Sequence, residues 1–333
     1  LNRKKYKPSI LCLGKCYYKK KFKEDTKIYE LNIKRTIFSF VKIIKILKEN
    51  FDQKNSIFVS NMNYANALSC IFIKLFLNYK LVLIERSPLK ELYTYYSFID
   101  YLKKKVIYSL MKCFYKFSNL VVLNSKFTQN EFKKKIKCRA INIYSPSIES
   151  VNLKKIKINK KIKKNNKLRL LSIGRLSIEK RFDFLINIMK FLNKNRAILY
   201  IIGNGPEYLN LKQLINQNNL NKNIKIKKFD FNYKNYFNKF DIFVSTSDFE
   251  GFPNIVVEAI NHNLYIISRN SGGGIHNILL NGKIGKIIDT NSPRKFANEI
   301  IKFRNNIEYY KNNKKLIKEN LTNFTTQSII KKY

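Results

Sequence analysis

The chain has 333 residues, 45% of them hydrophobic, enough for a packed α/β core in one large or two medium domains. It carries 66 Lys and Arg against 22 Asp and Glu, a formal charge of +44, which attracts polyanions such as nucleotides, nucleic acid and anionic lipid. Its longest apolar stretch, residues 67–84, is broken by Lys74 and Lys80 and falls short of the roughly 18–20 apolar residues of a membrane span; no signal peptide is visible.

The positive charge is spread among Lys, Asn and Ile along the whole length, not gathered in a tail. An AT-rich coding sequence produces that pattern without selection, so compositional drift and an anionic partner both account for it. Cys12, Cys16, Cys70, Cys113 and Cys138 form no CxxC or Cys/His cluster, which fits free thiols in a reducing cytosol. The histidines, His262 and His276, have no thiol nearby, so no structural metal is expected.

In chain order, the first half offers strands at "SILCL" (9–13), "SIFVS" (56–60), "KLVLI" (80–84), "LVVLN" (120–124) and "AINIY" (140–144). A helix is predicted over 35–50, where Ile37, Phe40, Val41, Ile44 and Leu47 recur at helical spacing. The stretch 67–84 reads as a buried helix followed by a strand. The segment "YLKKKVIYSLMKCFYKF" (101–117) mixes aromatics with lysines, and two readings stay open: a helix that touches an anionic inner leaflet, or a core helix with solvated lysines. Residues 145–167 hold turn residues and then a basic run with little core pattern, which predicts a linker.

The second half restarts the alternation. Strands are predicted at 168–174, 197–203, 224–227, 241–245, 264–268 and 286–290, and helices at 180–193, 207–218, 253–262 and 293–304. Alternating β and α implies parallel sheets with helices on both faces. The expected fold is α/β, two doubly wound Rossmann-like domains facing a cleft, over 1–150 and 151–333. Ligands of such sheets sit beyond the carboxyl ends of the strands.

The unusual loops of the second half all follow predicted strands. "SIGRLSIEKR" (172–181) carries Gly174, Arg175, Lys180 and Arg181; "IIGNGPE" (201–207) makes a glycine turn; "SGGGIHNIL" (271–279) holds three consecutive glycines. Glycines let a ligand approach the backbone, free N–H groups at helix starts bind phosphate, and Arg175 and Lys180 are suited to neutralise a diphosphate. In "STSDFEGFPNIVVEA" (245–259), Pro253 suits a first helical turn. Glu250 then falls in the loop and Glu258 on the helix, where carboxylates accept hydrogen bonds from sugar hydroxyls. Neither a dinucleotide fingerprint nor a Walker A sequence is present.

In that order and spacing, "GR…EKR", "GNGPE" and Glu250…Glu258 in "EGFPNIVVE" resemble the C-terminal domain of the GT4 family of retaining glycosyltransferases, which have the GT-B fold. The likeness is densest over 168–290. In the first half "IERSPLKE" (84–91), "YKFSNLVVLNS" (115–125) and "IYSPSI" (143–148) are similar to acceptor-domain and domain-crossing stretches of the family.

The resemblance implies transfer of a sugar from a nucleotide-diphosphate sugar, UDP-linked by expectation, to a saccharide or lipid-linked acceptor in cell-envelope polysaccharide or lipopolysaccharide assembly. It assigns Arg175 and Lys180 to the donor diphosphate, Glu258 to the ribose, and Glu250 with the backbone of Gly251 and Phe252 to the transferred sugar. Gly174 and Asn254 join the donor-binding set, and Arg86 is the acceptor-side candidate. No cofactor or metal is expected, because Arg and Lys supply the charge. The last helix is expected to pack back on the N-terminal domain. The location implied is cytoplasmic, with the inner face of the membrane as a possible surface. Since "SILCL" has no glycine-rich loop before it and the chain opens at Leu1, a start lacking the family's first strand–helix unit is also expected.

A nucleic-acid or anionic-membrane binder is the competing class, but no helix-turn-helix, zinc finger or RNP motif is present and charge alone is weak support. A catalytically inactive homologue is a third reading, opposed by the retention of Arg175, Lys180, Glu250 and Glu258.

Overall fold

Strands form where the sequence runs apolar without interruption, because a parallel sheet covered on both faces buries successive side chains. Five of the six residues of Leu168–Ile173 and all four of Ile242–Ser245 are buried. The structure is a computed structural model and describes residues 6–16, 19–22, 24–33, 36–152, 167–192, 197–305 and 313–332. It falls into two compact units: Leu1–Leu123 with Gln129–Asn142, and Asn124–Thr128 with Ile143–Tyr333.

In chain order the first half gives β1 (Ser9–Cys12), β2 (Lys27–Glu30), α1 (Thr36–Asn50), β3 (Ile57–Asn61), α2 (Asn63–Phe76), β4 (Lys80–Glu85), α3 (Phe98–Phe114), β5 (Leu120–Leu123), α4 (Lys126–Lys135) and β6 (Ala140–Asn142). Strands β3, β4, β5 and β6 form a four-stranded parallel sheet in that order, and β1 pairs with β2 in a separate parallel pair. One core ties the two sheets together. Phe40, Ile43 and Leu47 of α1 pack with Leu68 and Ile73 of α2, and Leu11 next to β2 and Phe58 of β3 lean on the same cluster. Strand β2 was not expected: "KIYE" is short, charged at both ends and at most half-buried, so it lacks the apolar run that marked the others.

The second half gives β7 (Leu168–Ile173), α5 (Phe182–Met189), β8 (Ala197–Ile202), α6 (Tyr208–Gln217), β9 (Ile224–Lys227), α7 (Lys234–Phe237), β10 (Ile242–Ser245), α8 (Asn254–Asn261), β11 (Tyr265–Arg269), α9 (Ile275–Ile278), β12 (Lys286–Ile288) and α10 (Pro293–Asn305), then two short helices, Lys314–Thr322 and Thr326–Ile330. The sheet is parallel throughout, in the order β12-β11-β10-β7-β8-β9. Successive residues of a strand face opposite sides. Leu170 accordingly enters a core with Phe184, Leu185, Ile188 and Phe296, while Leu171 enters the opposite core with Val256, Val257, Ile260 and Ile275.

The units divide between Asn142 and Ile143, slightly before the expected boundary at 150. The cause is backbone pairing. Ser147 N–H donates to the Phe324 carbonyl at 3.0 Å, and Thr326 N–H donates to the Ile148 carbonyl at 2.9 Å, making a parallel bridge of Ile148 with Thr325. The Tyr144 ring packs on Phe252 and Phe324, 5.5 and 5.2 Å between centroids. The last helix is therefore joined through Thr326 to residues of the second unit. Most of the expected linker, 153–166, lies outside the described residues.

Candidate active site

Strand order fixes where a ligand can sit. From β7 the chain builds the second sheet outward through β8 and β9, then returns to β10 on the other side of β7 and continues through β11 and β12. The connections therefore diverge beyond the carboxyl ends of β7 and β10, which opens a crevice at that switch point. A cavity of about 440 Å³ lies there, lined by Gly174, Arg175 and Lys180 after β7, Gly203 and Asn204 after β8, Phe229 and Tyr233 after β9, and Glu250, Phe252, Pro253, Asn254 and Ile255 after β10.

Close backbone packing lets these loops converge. A Cβ on Gly203 would stand 1.9 Å from the Gly174 carbonyl oxygen, and one on Gly205 2.2 Å from that of Leu176. Gly273, in the left-handed region at φ +58°, would place a Cβ 1.8 Å from the Glu250 carbonyl oxygen. The Gly274 N–H donates to the Gly251 carbonyl at 2.7 Å and Glu250 N–H to the Ser271 carbonyl at 3.2 Å, so the triple-glycine loop fixes the backbone of the Glu250 loop. Gly174 differs: a Cβ there meets nothing nearer than Phe182 Cζ at 3.7 Å, so internal packing alone does not demand glycine at this cavity wall.

The charged groups meet at the floor. The Lys180 ammonium pairs with the Glu250 carboxylate, to which Ser247 Oγ also donates at 2.8 Å. Lys180 and Glu250 side chains keep 25% and 15% of their exposure, which places the pair at the cavity surface rather than in the core. Arg175 is exposed beside it. Arg181, its neighbour in the motif, has a structural task. In the left-handed conformation, it pairs with Asp183 at 3.1 Å and Asp248 at 3.3 Å; Arg269 also pairs with Asp248. The hydrogen bond to Asp183, aided by the Asp183 and Asp248 charges, holds the Arg181 guanidinium above its ordinary pKa despite partial burial.

Glu258 sits on α8, one hydrogen bond behind the wall. Tyr233 Oη donates to Glu258 Oε2 at 2.7 Å, and the Tyr233 ring lies 5.0 Å from the Phe229 ring, tilted by 32°. Burial pushes the Glu258 carboxyl above its usual range, opposed by the Tyr233 hydrogen bond and by Lys234 and His262. Burial and the Glu258 charge push the Tyr233 phenol up in turn. His262 Nδ1 lies 2.9 Å from the Glu258 carbonyl oxygen and its ring stacks on Phe237, so it braces the end of α8.

Of the residues singled out in the sequence, Gly174, Arg175, Lys180, Glu250, Phe252 and Asn254 line one cavity. Gly251 supports it by its carbonyl, and Glu258 reaches it through Tyr233. Phe252 is 7% exposed and its ring packs on Phe324 and Tyr144, so it lines the cavity as a largely buried side chain. Arg86 follows β4 in the first unit and is exposed. Sequence reasoning missed Phe229, Tyr233 and Ser247. Tyr233 sits 25 residues before its partner Glu258, and only the aromatic richness of "FDFNY" (229–233) marks it. Among the described residues no cluster of His, Cys, Asp and Glu is arranged to hold a metal ion, and no helix is long and apolar enough to cross a membrane.

Residues 154–320 match the family model described as glycosyl transferases group 1. An uncharacterized glycosyltransferase of Methanocaldococcus jannaschii is 28% identical over 259 residues, 72% of this chain and 60% of that protein. A capsular polysaccharide biosynthesis glycosyltransferase of Staphylococcus aureus, CapH, is 26% identical over 254 residues, 73% of this chain and 66% of that one. The chain thus spans about two thirds or less of the length of these relatives. Among solved structures, HepE of Anabaena in complex with UDP and glucose superposes with a TM-score of 0.74 at 16% identity, covering 97% of this chain and 89% of that one.

Proposed function

The chain belongs to the glycosyl transferases group 1 family and has the GT-B fold, and from that premise we propose that it is a retaining hexosyltransferase. The donor is a nucleotide-diphosphate sugar, UDP-linked, and the acceptor a saccharide or a lipid-linked sugar. The observation that carries this reading is the convergence of Arg175, Lys180 and Glu250 in one cavity at the sheet's switch point. HepE's structure contains UDP and glucose, which supports a UDP-sugar donor. CapH is named for capsular polysaccharide biosynthesis, which supports a role in cell-envelope polysaccharide or lipopolysaccharide assembly. The location proposed is cytoplasmic, at the inner face of the membrane where lipid-linked acceptors reside.

In this reading Arg175 and Lys180 neutralise the diphosphate, the group whose negative charge grows as the bond to the sugar breaks. That charge compensation comes from the side chains, so the proposal needs no metal. The Tyr233–Phe229 pair walls the nucleoside end, and Glu258, behind that wall here, accepts the ribose hydroxyls once the donor shifts the Tyr233 hydroxyl from its carboxylate. Glu250, held by Lys180 and Ser247, accepts hydroxyls of the sugar beside the backbone of Gly251 and Phe252. The acceptor hydroxyl attacks the anomeric carbon from the face that the leaving diphosphate vacates. A phosphate oxygen takes the hydroxyl proton, the new C–O bond forms as the old one breaks, and configuration is retained. Glu250 stabilises charge and positions the ring without forming a covalent bond.

Thermal denaturation with UDP-, GDP- and ADP-sugars is the first test. A donor at one hundred times its Kd stabilises the fold by about 2.7 kcal/mol. No shift with any sugar nucleotide sinks the assignment. For the donor that binds, the anomeric coupling of the product in proton NMR reads retention directly, and an inverted product overturns the mechanism.

A further inference from the structure

Helix α3 carries apolar side chains on two faces. One face enters the core of the first unit, where Met111 is buried and Ile107, Tyr108, Leu110 and Phe114 pack against the cluster. The other points outward. Phe98, Ile99, Leu102 and Val106 are 74, 64, 46 and 56% exposed, and their spacing sets them on one stripe of the helix, about 100° wide. An outward stripe of large apolar residues is the reverse of what a solvated surface helix needs.

The stripe is flanked by cations. Lys103, Lys105, Lys112 and Lys116 of the same region are exposed. Lys112 and Lys116 continue into a basin of about 520 Å³ that also takes Lys134, Lys135 and Lys137 from α4 and the turn after it. Among the described residues the acid paired with this basin is Glu131, 3.9 Å from Lys135. Tyr95 and Tyr96, at the start of the helix, are 43 and 42% exposed, an amphipathic pair suited to a headgroup layer.

We propose that this face docks on an anionic lipid bilayer, with the α3 stripe entering the headgroup–acyl boundary and the lysine basin taking lipid phosphates. The charge pattern selects this occupant. A second copy of the chain would set the same lysine-rich basin against itself with few acids in reply. A polyanion such as RNA would use the lysines but leave the aliphatic stripe in water. An anionic bilayer satisfies both, because apolar burial and attraction to acidic headgroups add. The inference deepens the location given above and rests on that reading only for the identity of the acceptor; lipid docking itself involves no residue of the donor cavity.

Co-sedimentation of the full chain with vesicles tests it. Binding is expected to vesicles containing phosphatidylglycerol, to be at least tenfold weaker with phosphatidylcholine alone, and to fall as salt rises. The Phe98→Ser, Leu102→Ser, Val106→Ser triple variant should lose at least tenfold in partitioning. A Lys112→Ser, Lys116→Ser, Lys135→Ser variant should lose the preference for acidic lipid. Both variants should keep the wild-type melting temperature and nucleotide response, since all six side chains lie on the surface. Wild-type lipid binding in both variants, or no binding of the wild type to acidic vesicles, overturns the proposal. So does a concentration-dependent dimer that the Phe98 triple variant abolishes, which identifies a second copy as the occupant. Vesicle binding without any response to sugar nucleotides would leave docking standing and remove the transferase reading.

Discussion

Lys180 and Glu250, seventy residues apart in sequence, form an ion pair that spans the switch point of the second sheet. One comes from the loop after β7 and the other from the loop after β10, so the pair joins the two directions in which the sheet is built. It also couples the two jobs proposed for the cavity, since the cation serves the diphosphate and the acid the sugar.

That coupling is measurable. Arg175→Ala and Lys180→Ala each remove a charge-assisted contact worth about 1.5–3 kcal/mol, so the Kd for UDP should rise roughly 10- to 150-fold in calorimetric titration. Lys180→Ala also leaves Glu250 without its cation. In a double-mutant cycle, Lys180→Ala and Glu250→Gln should therefore be non-additive by at least about 0.5 kcal/mol in turnover. Wild-type affinity in both single variants removes the diphosphate assignment.

The two acids should separate. Glu250→Gln is expected to lower kcat by at least about tenfold and leave the affinity for free UDP unchanged. Glu258→Gln should weaken UDP binding by about tenfold. Tyr233→Phe, which deletes the 2.7 Å hydrogen bond to Glu258, should resemble Glu258→Gln and not Glu250→Gln. Equal losses of UDP affinity at both acids would show the division of roles to be wrong.

Two glycines should fail in different ways. Gly203→Ala puts a methyl group 1.9 Å from a backbone oxygen and should destabilise the fold by at least about 1–3 kcal/mol in urea. Gly174→Ala finds ordinary contacts at 3.7 Å and should change stability by less than about 1 kcal/mol. Its methyl group stands at the cavity wall, so donor affinity should drop at least about tenfold. If Gly174→Ala binds donor normally, the diphosphate does not approach that backbone.

In the first unit, Glu85 is 1% exposed, and burial pushes its carboxyl from the usual 4.5 up to about 7. Tyr115 Oη meets both Glu85 Oε1 and the Asn63 carbonyl. The hydrogen bonds that Tyr115 and the Asn66 amide donate to Glu85 Oε1 favour the carboxylate, but burial outweighs them. Because the folded pKa is raised, the native state holds more protons than the unfolded chain between about pH 4.5 and 7. Stability should fall as pH rises through that window, by on the order of 3 kcal/mol for this group. Glu85→Gln should flatten this part of the denaturation profile and be the more stable protein at pH 8. An unchanged slope would place the titration elsewhere.

Much of this was legible in the sequence, for reasons particular residues show. Strands β7 and β10 are buried on both faces and β8 is half-buried on one, so they read as nearly unbroken apolar runs. The cavity loops were marked by glycines and by Glu250…Glu258, because tight backbone approach and a helix start restrict which residues serve. What escaped were partners set by the fold alone. Tyr233 to Glu258, Asp248 between Arg181 and Arg269, and Ile148 to Thr325 are meetings of ordinary residues whose spacing carries no periodic signal. Strand β2 escaped because a partly buried strand needs no apolar run.

The bridge of Ile148 with Thr325 has a kinetic meaning. It closes a loop of nearly the entire second unit, which by chain entropy alone costs about 4–5 kcal/mol, more than one such backbone bridge returns. The clasp should thus form after the six-stranded sheet has collapsed and be absent from the folding transition state. Contacts of that kind set the rate of unfolding and leave the rate of folding nearly untouched. Loosening it with Thr326→Pro, which removes the N–H donated to Ile148, should make the second unit open sooner without making it assemble more slowly. The clasp therefore lengthens the lifetime of the finished unit, where the rest of the core governs how it is reached.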